Sequence, residues 1–521
     1  MKLLSILTFP LRLPFKLNTA LAKSMPNRFV HWLLLMSFVF PVVLVAFFGF
    51  YVLTGQITPE TDFKTWQPPK SMTATLGVVF VGLSFATFFA PFLPGANKVY
   101  REKNRPRTFG DARFSTLAEL VKAQLVGAAG VVFGRKEGKL IEKPPEVEGH
   151  VLVVGGSGTG KSRGVAIPTL LRWPGAALVI DIKGELSRIT SQSRGPVYVF
   201  DPENGGHGYD LLRECRTVEG AQELARTLIP EPPKGEPFWA KSAQGIFAAA
   251  ALEAAHTGEK LSDVAERVCV TPPEQLIAEL QASEVRGTRL LSSIGVGMPE
   301  KTLGGVMAEL RSKLLTLASD EGIAKATSSS DFTPATLEEG ATIYIRISEH
   351  LLAQYKELWA VIINQMLRHL AKRPEKALPG VLILLDELPR LGEVPSLTDA
   401  LATLRSRNVH ILSIIQSMAQ LDLIYGQDRR KVIADNCRYK LVLSASDPET
   451  QKYFAELAGQ HTVHSKGVTV GAGWVPNYSK NETGVHLIRP EAWARLEKPV
   501  MLANGLQPTQ VDLAFWDLDK E

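Results

Sequence analysis

The sequence predicts an α/β protein: a mostly parallel sheet with a phosphate-binding loop, an all-α region inserted into it, and two membrane-spanning helices ahead of it. Three observations lead there. Apolar strand-like runs alternate with helix-like runs over much of the chain. A full G-x-x-x-x-G-K-[ST] pattern follows one of those runs. Two long stretches near the start carry no Asp, Glu, Lys or Arg. At 521 residues the chain is too long for a single core, so several domains are expected.

The pattern is Gly155-Gly156-Ser157-Gly158-Thr159-Gly160-Lys161-Ser162, preceded by the strand-like Val151–Val154. Glycines let the backbone curl so that several N–H groups converge on phosphate oxygens. A helix that follows adds its unsatisfied N–H groups and the positive end of its dipole. Lys161 would reach the β- and γ-phosphates, and the Ser162 hydroxyl would ligate Mg²⁺. A plain glycine-rich turn between a strand and a helix is the alternative. The preceding strand and the completeness of the motif favour a nucleotide site.

Residues 29–59 and 71–97 are free of charged side chains, and each run exceeds the ~20 apolar residues needed to cross a bilayer. The predicted spans are 29–53 and 72–93. Trp32 and Tyr51 lie near the ends of the first, where interfacial aromatics sit. Lys2, Arg12, Lys16, Lys23 and Arg28 precede it without an acid; Lys98, Arg101, Lys103, Arg105 and Arg107 follow the second against Glu102 alone. The positive-inside rule therefore places both flanks in the cytoplasm and a short loop outside. Pro10, Arg12, Pro14 and Lys16 interrupt any signal-peptide core, so the first 28 residues read as a cytoplasmic lead.

The overall charge of +5 misleads. Residues 1–107 carry +9 and residues 108–521 carry −4, so global charge does not make the cytoplasmic part a nucleic-acid binder. Any such contact needs a local basic patch or a pore lining. Cys215, Cys269 and Cys437 have neither disulfide nor metal spacing and read as free thiols in a reducing compartment.

Residues 98–107 form a basic linker, and a helix-like run reaches Lys122. Strands are predicted at 177–182, Val197–Phe200, 342–347, Val381–Leu385, 410–415 and 440–444. Helices at 355–371 and 397–405 separate the later ones. From 208 to 329 the pattern is nearly all helical, with alanine-rich 243–255 and 302–317 as examples and a proline-bounded loop at 230–237. The division is an anchor over 1–107, a nucleotide-binding domain in two parts over 108–207 and 330–521, and an inserted all-α domain over 208–329.

Leu382 to Leu385 is an apolar run ending in Asp386-Glu387. At the carboxyl end of a parallel strand, where ligands of open α/β sheets bind, Asp386 would hold Mg²⁺ and Glu387 would orient the water attacking the γ-phosphate. Without the phosphate loop the pair would read as two solvated carboxylates. Gln416 ends another strand and is either a γ-phosphate sensor or a helix-capping residue. Arg405 and Arg407 end a helix; each is either a solvated surface arginine or, in a ring, a finger reaching a neighbour's nucleotide.

Together these motifs resemble the coupling proteins of type IV secretion, the membrane-anchored ATPases of bacterial conjugation often called TraG-like. The resemblance covers nearly the whole chain. It rests on the two spans, Gly110-Asp111-Ala112-Arg113, the phosphate loop with Ile167-Pro168-Thr169-Leu170-Leu171, and Asp181-Ile182-Lys183-Gly184-Glu185. Ser330-Asp331-Phe332, residues 385–392, residues 415–421 and Tyr425-Gly426 complete it. The resemblance implies a RecA-like domain with an inserted all-α domain, assembled as a homo-hexamer on the bacterial inner membrane. It implies ATP and Mg²⁺ as cofactors. It implies partners among the secretion-channel components, and a relaxase with single-stranded DNA, or a protein, as substrate. Lys161 and Ser162 fall on the nucleotide and Mg²⁺ positions, Asp386 and Glu387 on the acidic motif, Gln416 on the strand-end glutamine, and Arg405 rather than Arg407 on the arginine finger. The external loop, about 54–70, is short for the family. The chain ends soon after its last strand-like segment, so an extended recruiting tail is not expected.

Two other functions compete. A duplex-DNA translocase of the FtsK type would share the motor but typically has more spans and a DNA-reading C-terminal module. A docking receptor would bind protein substrates through the all-α domain and use ATP for assembly or release, a reading the −4 charge of residues 108–521 accommodates.

Overall fold

A computed structural model describes residues 108–232, 236–346, 348–470 and 476–518. The predicted anchor at 1–107, with both spans, lies outside the described residues. Among the described residues no helix is long and apolar enough to cross a membrane. The chain divides into two compact units, one of Met1–Asp111 with His461–Val485, the other of Ala112–Gln460 with His486–Glu521.

The second unit is built on a nine-stranded sheet. Its strands are β3 (Val151–Val154), β4 (Ala176–Asp181), β5 (Val197–Phe200), β6 (Thr342–Arg346), β7 (Val381–Leu385), β8 (Val409–Ile415), β9 (Tyr439–Val442), β12 (Val500–Ala503) and β13 (Thr509–Gln510). The order across the sheet is β13-β12-β9-β3-β8-β7-β4-β6-β5. Strands β3 to β9 run parallel, and β12 and β13 add an antiparallel edge. The central strands are apolar along their whole length because both faces are covered. Leu152, Val154, Leu178 and Ile180 enter one core; Val151, Val153, Ala177 and Val179 enter the other. The expected α/β fold with a mostly parallel sheet is therefore present, each predicted strand within two residues of its observed bounds.

Between β5 and β6 the described elements are all helical. The helix Phe238–Thr257 lies at the centre, against Val218–Leu228, Arg286–Ser292 and Glu300–Ser319. Its alanines explain the closeness: Ala243, Ala248 to Ala251 and Ala254 are fully buried, and small side chains let neighbouring backbones approach. A two-stranded ladder, β1 (Val131–Lys136) with β2 (Lys139–Lys143), precedes β3. No strand was expected there, because the run is short and ends in charged residues.

In the first unit, β10 (Gln460–Val470) and β11 (Pro476–His486) pair with each other. The segment 108–111 is tied to them: Phe109 N–H donates to Thr462 Oγ1 at 2.9 Å, and Thr462 N–H donates to the Gly110 carbonyl at 3.2 Å. These strands are polar and lack a clean alternation, so the sequence did not announce them.

The amino edge of the sheet holds a buried cluster of three basic side chains. Lys143 Nζ lies 2.8 Å from His410 Nδ1, with both side chains almost wholly buried. His150 accepts a hydrogen bond from Ile411 N–H at Nδ1 (3.0 Å), so its Nε2 carries the proton and donates to the Leu401 carbonyl (3.0 Å). Burial, then the neighbouring Lys143, holds His150 down to about 3. Burial likewise pushes Lys143 down to about 7 and His410 well below its usual value. The unfolded chain takes up a proton at His150 below pH 6.5 that the folded chain refuses until about pH 3, so stability falls as pH drops through that window. Replacing His150 by Gln is expected to remove about one proton, roughly 1.4 kcal/mol per pH unit, from the slope of unfolding free energy between pH 6 and pH 5. Urea unfolding at a series of pH values measures it; an unchanged slope would refute the buried neutral histidine.

Candidate nucleotide site

Parallel pairing brings the candidate residues to one edge. Strand β3 pairs with β8 so that Val154 faces Ile415, and Gly155 N–H donates to the Ile415 carbonyl at 3.2 Å. Strand β8 pairs with β7 and β7 with β4, Ile180 facing Leu385. The phosphate loop, Gln416, Asp386 and Asp181 thus leave four adjacent strands at the same carboxyl edge.

The loop turns back on itself through left-handed backbone at Gly158 (φ 75°) and Gly160 (φ 90°). Lys161 is buried, and its ammonium donates to the carbonyls of Gly155 (2.6 Å) and Gly156 (2.8 Å). Burial lowers its pKa, while Glu387 and Asp386 act in the opposite direction. The amine therefore sits within electrostatic reach of the acidic pair. Ser162 opens a π-helical turn, Ser162–Ala166, in which Ile167 N–H reaches the Ser162 carbonyl. Pro168 follows, lacking the N–H that a regular helix would use there. The predicted helix after the loop is thus present, with a widened first turn.

Asp386 is 7% exposed. Burial, then the neighbouring Glu387 and Asp181, push its carboxyl up to about 7, against the pull of Lys183 and Lys161. A carboxylate so placed gains from a cation. One buried carboxylate at the same sheet edge as Ser162 suits a hard divalent ion that shares its shell with phosphate and water. Among the described residues no cluster of three His, Cys, Asp or Glu could hold a metal by itself.

Glu387 has left-handed backbone (φ 54°), a conformation that costs a non-glycine residue about 1–2 kcal/mol and that marks functional sites. Arg390 Nη1 contacts Glu387 Oε2 at 3.3 Å and Glu349 Oε1 at 2.8 Å, tying the two carboxylates together.

Gln416 stands at the carboxyl edge and pairs side chain to side chain with Gln420 at 3.3 Å. Arg405 does not join the others. It lies in the turn Leu404–Arg407 ahead of β8, at the amino edge, with Nε 3.8 Å from Glu148 Oε2. Arg407 is turned onto the Arg373 carbonyl. Three further residues belong to the site. Ser444, beyond β9, accepts from Gly156 N–H at 3.1 Å, and Lys183 acts on both Lys161 and Asp386. Asp181 caps the helix Glu185–Thr190 by accepting from Ser187 N–H at 2.7 Å. Asp181 and Lys183 stand together in the 181–185 motif of the sequence, whereas nothing in the sequence flags Ser444.

The family described as Type IV secretory system Conjugative DNA transfer matches residues 107–520. Protein VirD4 of Rhizobium rhizogenes is 26% identical over 490 residues, covering 86% of this chain and 71% of its own length. The conjugal transfer protein TraG of Escherichia coli is 27% identical over 444 residues, covering 75% and 69%. Among solved structures, the unbound bacterial conjugative coupling protein TrwBdeltaN70 superposes with a TM-score of 0.63 at 20% identity, over 78% of this chain and 92% of that one. Plasmid coupling protein TrwB in complex with ADP and Mg²⁺ gives 0.60 at 20% identity, over 78% and 94%. At that identity the likeness is one of fold, an α/β architecture with a mostly parallel central sheet. With the family match spanning the sheet, the helical region and every motif at the carboxyl edge, the chain belongs to the conjugative DNA transfer family of type IV secretion, the coupling proteins.

Proposed function

We propose that this coupling protein hydrolyses ATP with Mg²⁺ at the carboxyl edge of the sheet, and that hydrolysis drives a DNA–relaxase or protein substrate to the secretion channel. The observation that carries this is the convergence of the phosphate loop with Asp386 and Glu387 across β3, β8 and β7. The nucleotide complexes of the TrwB fold relative support the choice of ligand.

Backbone N–H groups of residues 155–162 hold the phosphates, and Lys161 swings from its two carbonyls to them. Ser162 and Asp386 hold Mg²⁺, which when bound neutralises charge developing on the phosphates. Glu387, braced by Arg390, orients and polarises the attacking water. Gln416 sits between the two halves and reads the γ-phosphate.

Arg405 lies at the opposite edge from its own chain's loop, so it acts on a neighbour's nucleotide in a homo-hexameric ring. Segments 29–53 and 72–93 anchor that ring in the inner membrane through residues 1–107, as two charge-free runs with basic flanks support. Residues 208–329 act as the all-α domain, and 108–207 with 330–521 as the nucleotide-binding domain.

Lys161→Ala is expected to lower ATP turnover about 100-fold or more and to abolish transfer while leaving the chain in the membrane. Normal transfer by that variant would rule out the motor. Arg405→Ala is expected to keep ATP binding and lose turnover by about 10³-fold. Mixing it with Lys161→Ala subunits should restore part of the turnover, because an intact loop then meets an intact arginine wherever the two kinds of subunit adjoin in the right order. No recovery on mixing would overturn the arrangement between neighbours.

A further inference from the structure

Residues 511–518 follow the edge strand β13 and return across the sheet to the phosphate loop. The contact is close. A Cβ at Gly160 would lie 3.1 Å from Phe515 Cε1, and one at Gly164 would lie 3.2 Å from Leu513 Cβ. Trp516 N–H donates to the Arg163 carbonyl at 3.4 Å. The Arg163 Nε donates to both carboxylate oxygens of Asp517, at 2.7 and 2.9 Å, and its guanidinium stands 4.8 Å from the centroid of the Phe515 ring. Arg163 is exposed and Phe515 half-buried, so the ring backs the guanidinium from the loop side and the arginine is the solvent-facing member of the pair, directly beyond Ser162.

The sheet order gives this surface a direction. From the loop on β3, Gln416 and then Asp386 and Glu387 lie on one side, past β8 and β7. Terminal phosphate chemistry belongs on that side. The nucleoside must then leave the loop towards β9, β12 and β13, where the C-terminal segment returns. We propose that the Arg163–Phe515 pair is the base-binding platform of the site: the nucleobase of a nucleoside triphosphate stacks on it, and residues 513–517 form the wall that receives the nucleoside. Guanidinium planes and aromatic rings both stack on bases without reading their edges, so the platform suits adenine and guanine alike.

This inference rests on the nucleotide site proposed above, and the test separates the two. Binding of Mg²⁺·ATP and of Mg²⁺·tripolyphosphate, which has no base, is measured by calorimetry on the full chain. Phe515→Ala is expected to weaken ATP about fivefold or more and to leave tripolyphosphate unchanged. Phe515→Tyr, which keeps the ring, should restore ATP binding. Arg163→Ala, a surface change that does not threaten the core, should weaken ATP alone in the same way. If Phe515→Ala weakens both ligands equally, the ring only packs the loop at Gly160 and the platform is refuted. If it weakens neither, the base lies elsewhere. If the unaltered chain binds neither ligand, the nucleotide reading itself fails.

Discussion

Parallel pairing of β3, β8, β7 and β4 is the constraint on which the site depends. Parallel strands all end at one edge, so whatever follows each strand is delivered to the same line in space. Here that line carries the phosphate loop, Gln416, Asp386 and Asp181 in neighbouring positions. The same pairing determines what is kept apart. Arg405 precedes β8 and is held at the far edge beside Glu148, so a catalytic part for it requires a second subunit. Registry within the sheet also protects the arrangement. A slip by one residue would exchange the two buried faces, which differ in the side chains they receive.

The electrostatics at the edge follow from burial more than from contact. Asp386, Glu387 and Asp181 crowd against Lys161 and Lys183 where water is scarce. Burial raises Asp386 to about 7, and Lys161 donates to loop carbonyls. Both groups are placed to gain from an incoming cation and phosphate. The opposite edge shows the reverse: burial lowers Lys143 and holds His150 and His410 neutral, with hydrogen bonds that fix the His150 tautomer.

Much of this was legible in the sequence, for physical reasons. Strands buried on both faces read as unbroken apolar runs, and a glycine-rich turn ending in Lys-Ser has few other uses, so β3, β7, β8 and the loop were plain. The alanine-rich helices were equally clear because packing at close range demands small side chains. What the sequence hid has causes of its own. The ladder of β1 and β2 is short, and β10 and β11 are polar, so neither carries a strand period. Ser444 acts through a partner distant in the chain, and a single polar residue after a strand gives no sign of its partner; Lys183 and Arg390 stood in legible motifs, but the long-range partners they meet did not show. Gln416 read equally well as a helix-capping residue and Arg405 as a solvated surface arginine, because neither residue type reveals on which edge of the sheet it stands.

The most direct test of the account is ATP turnover by the full chain in membranes, alone, with single-stranded DNA and with duplex. A conjugative motor whose hydrolysis is tied to its substrate predicts strong stimulation by single strands and much less by duplex. Turnover indifferent to both would contradict DNA-coupled hydrolysis and favour a receptor for protein substrates. Stimulation by duplex alone would contradict the substrate assigned to the motor.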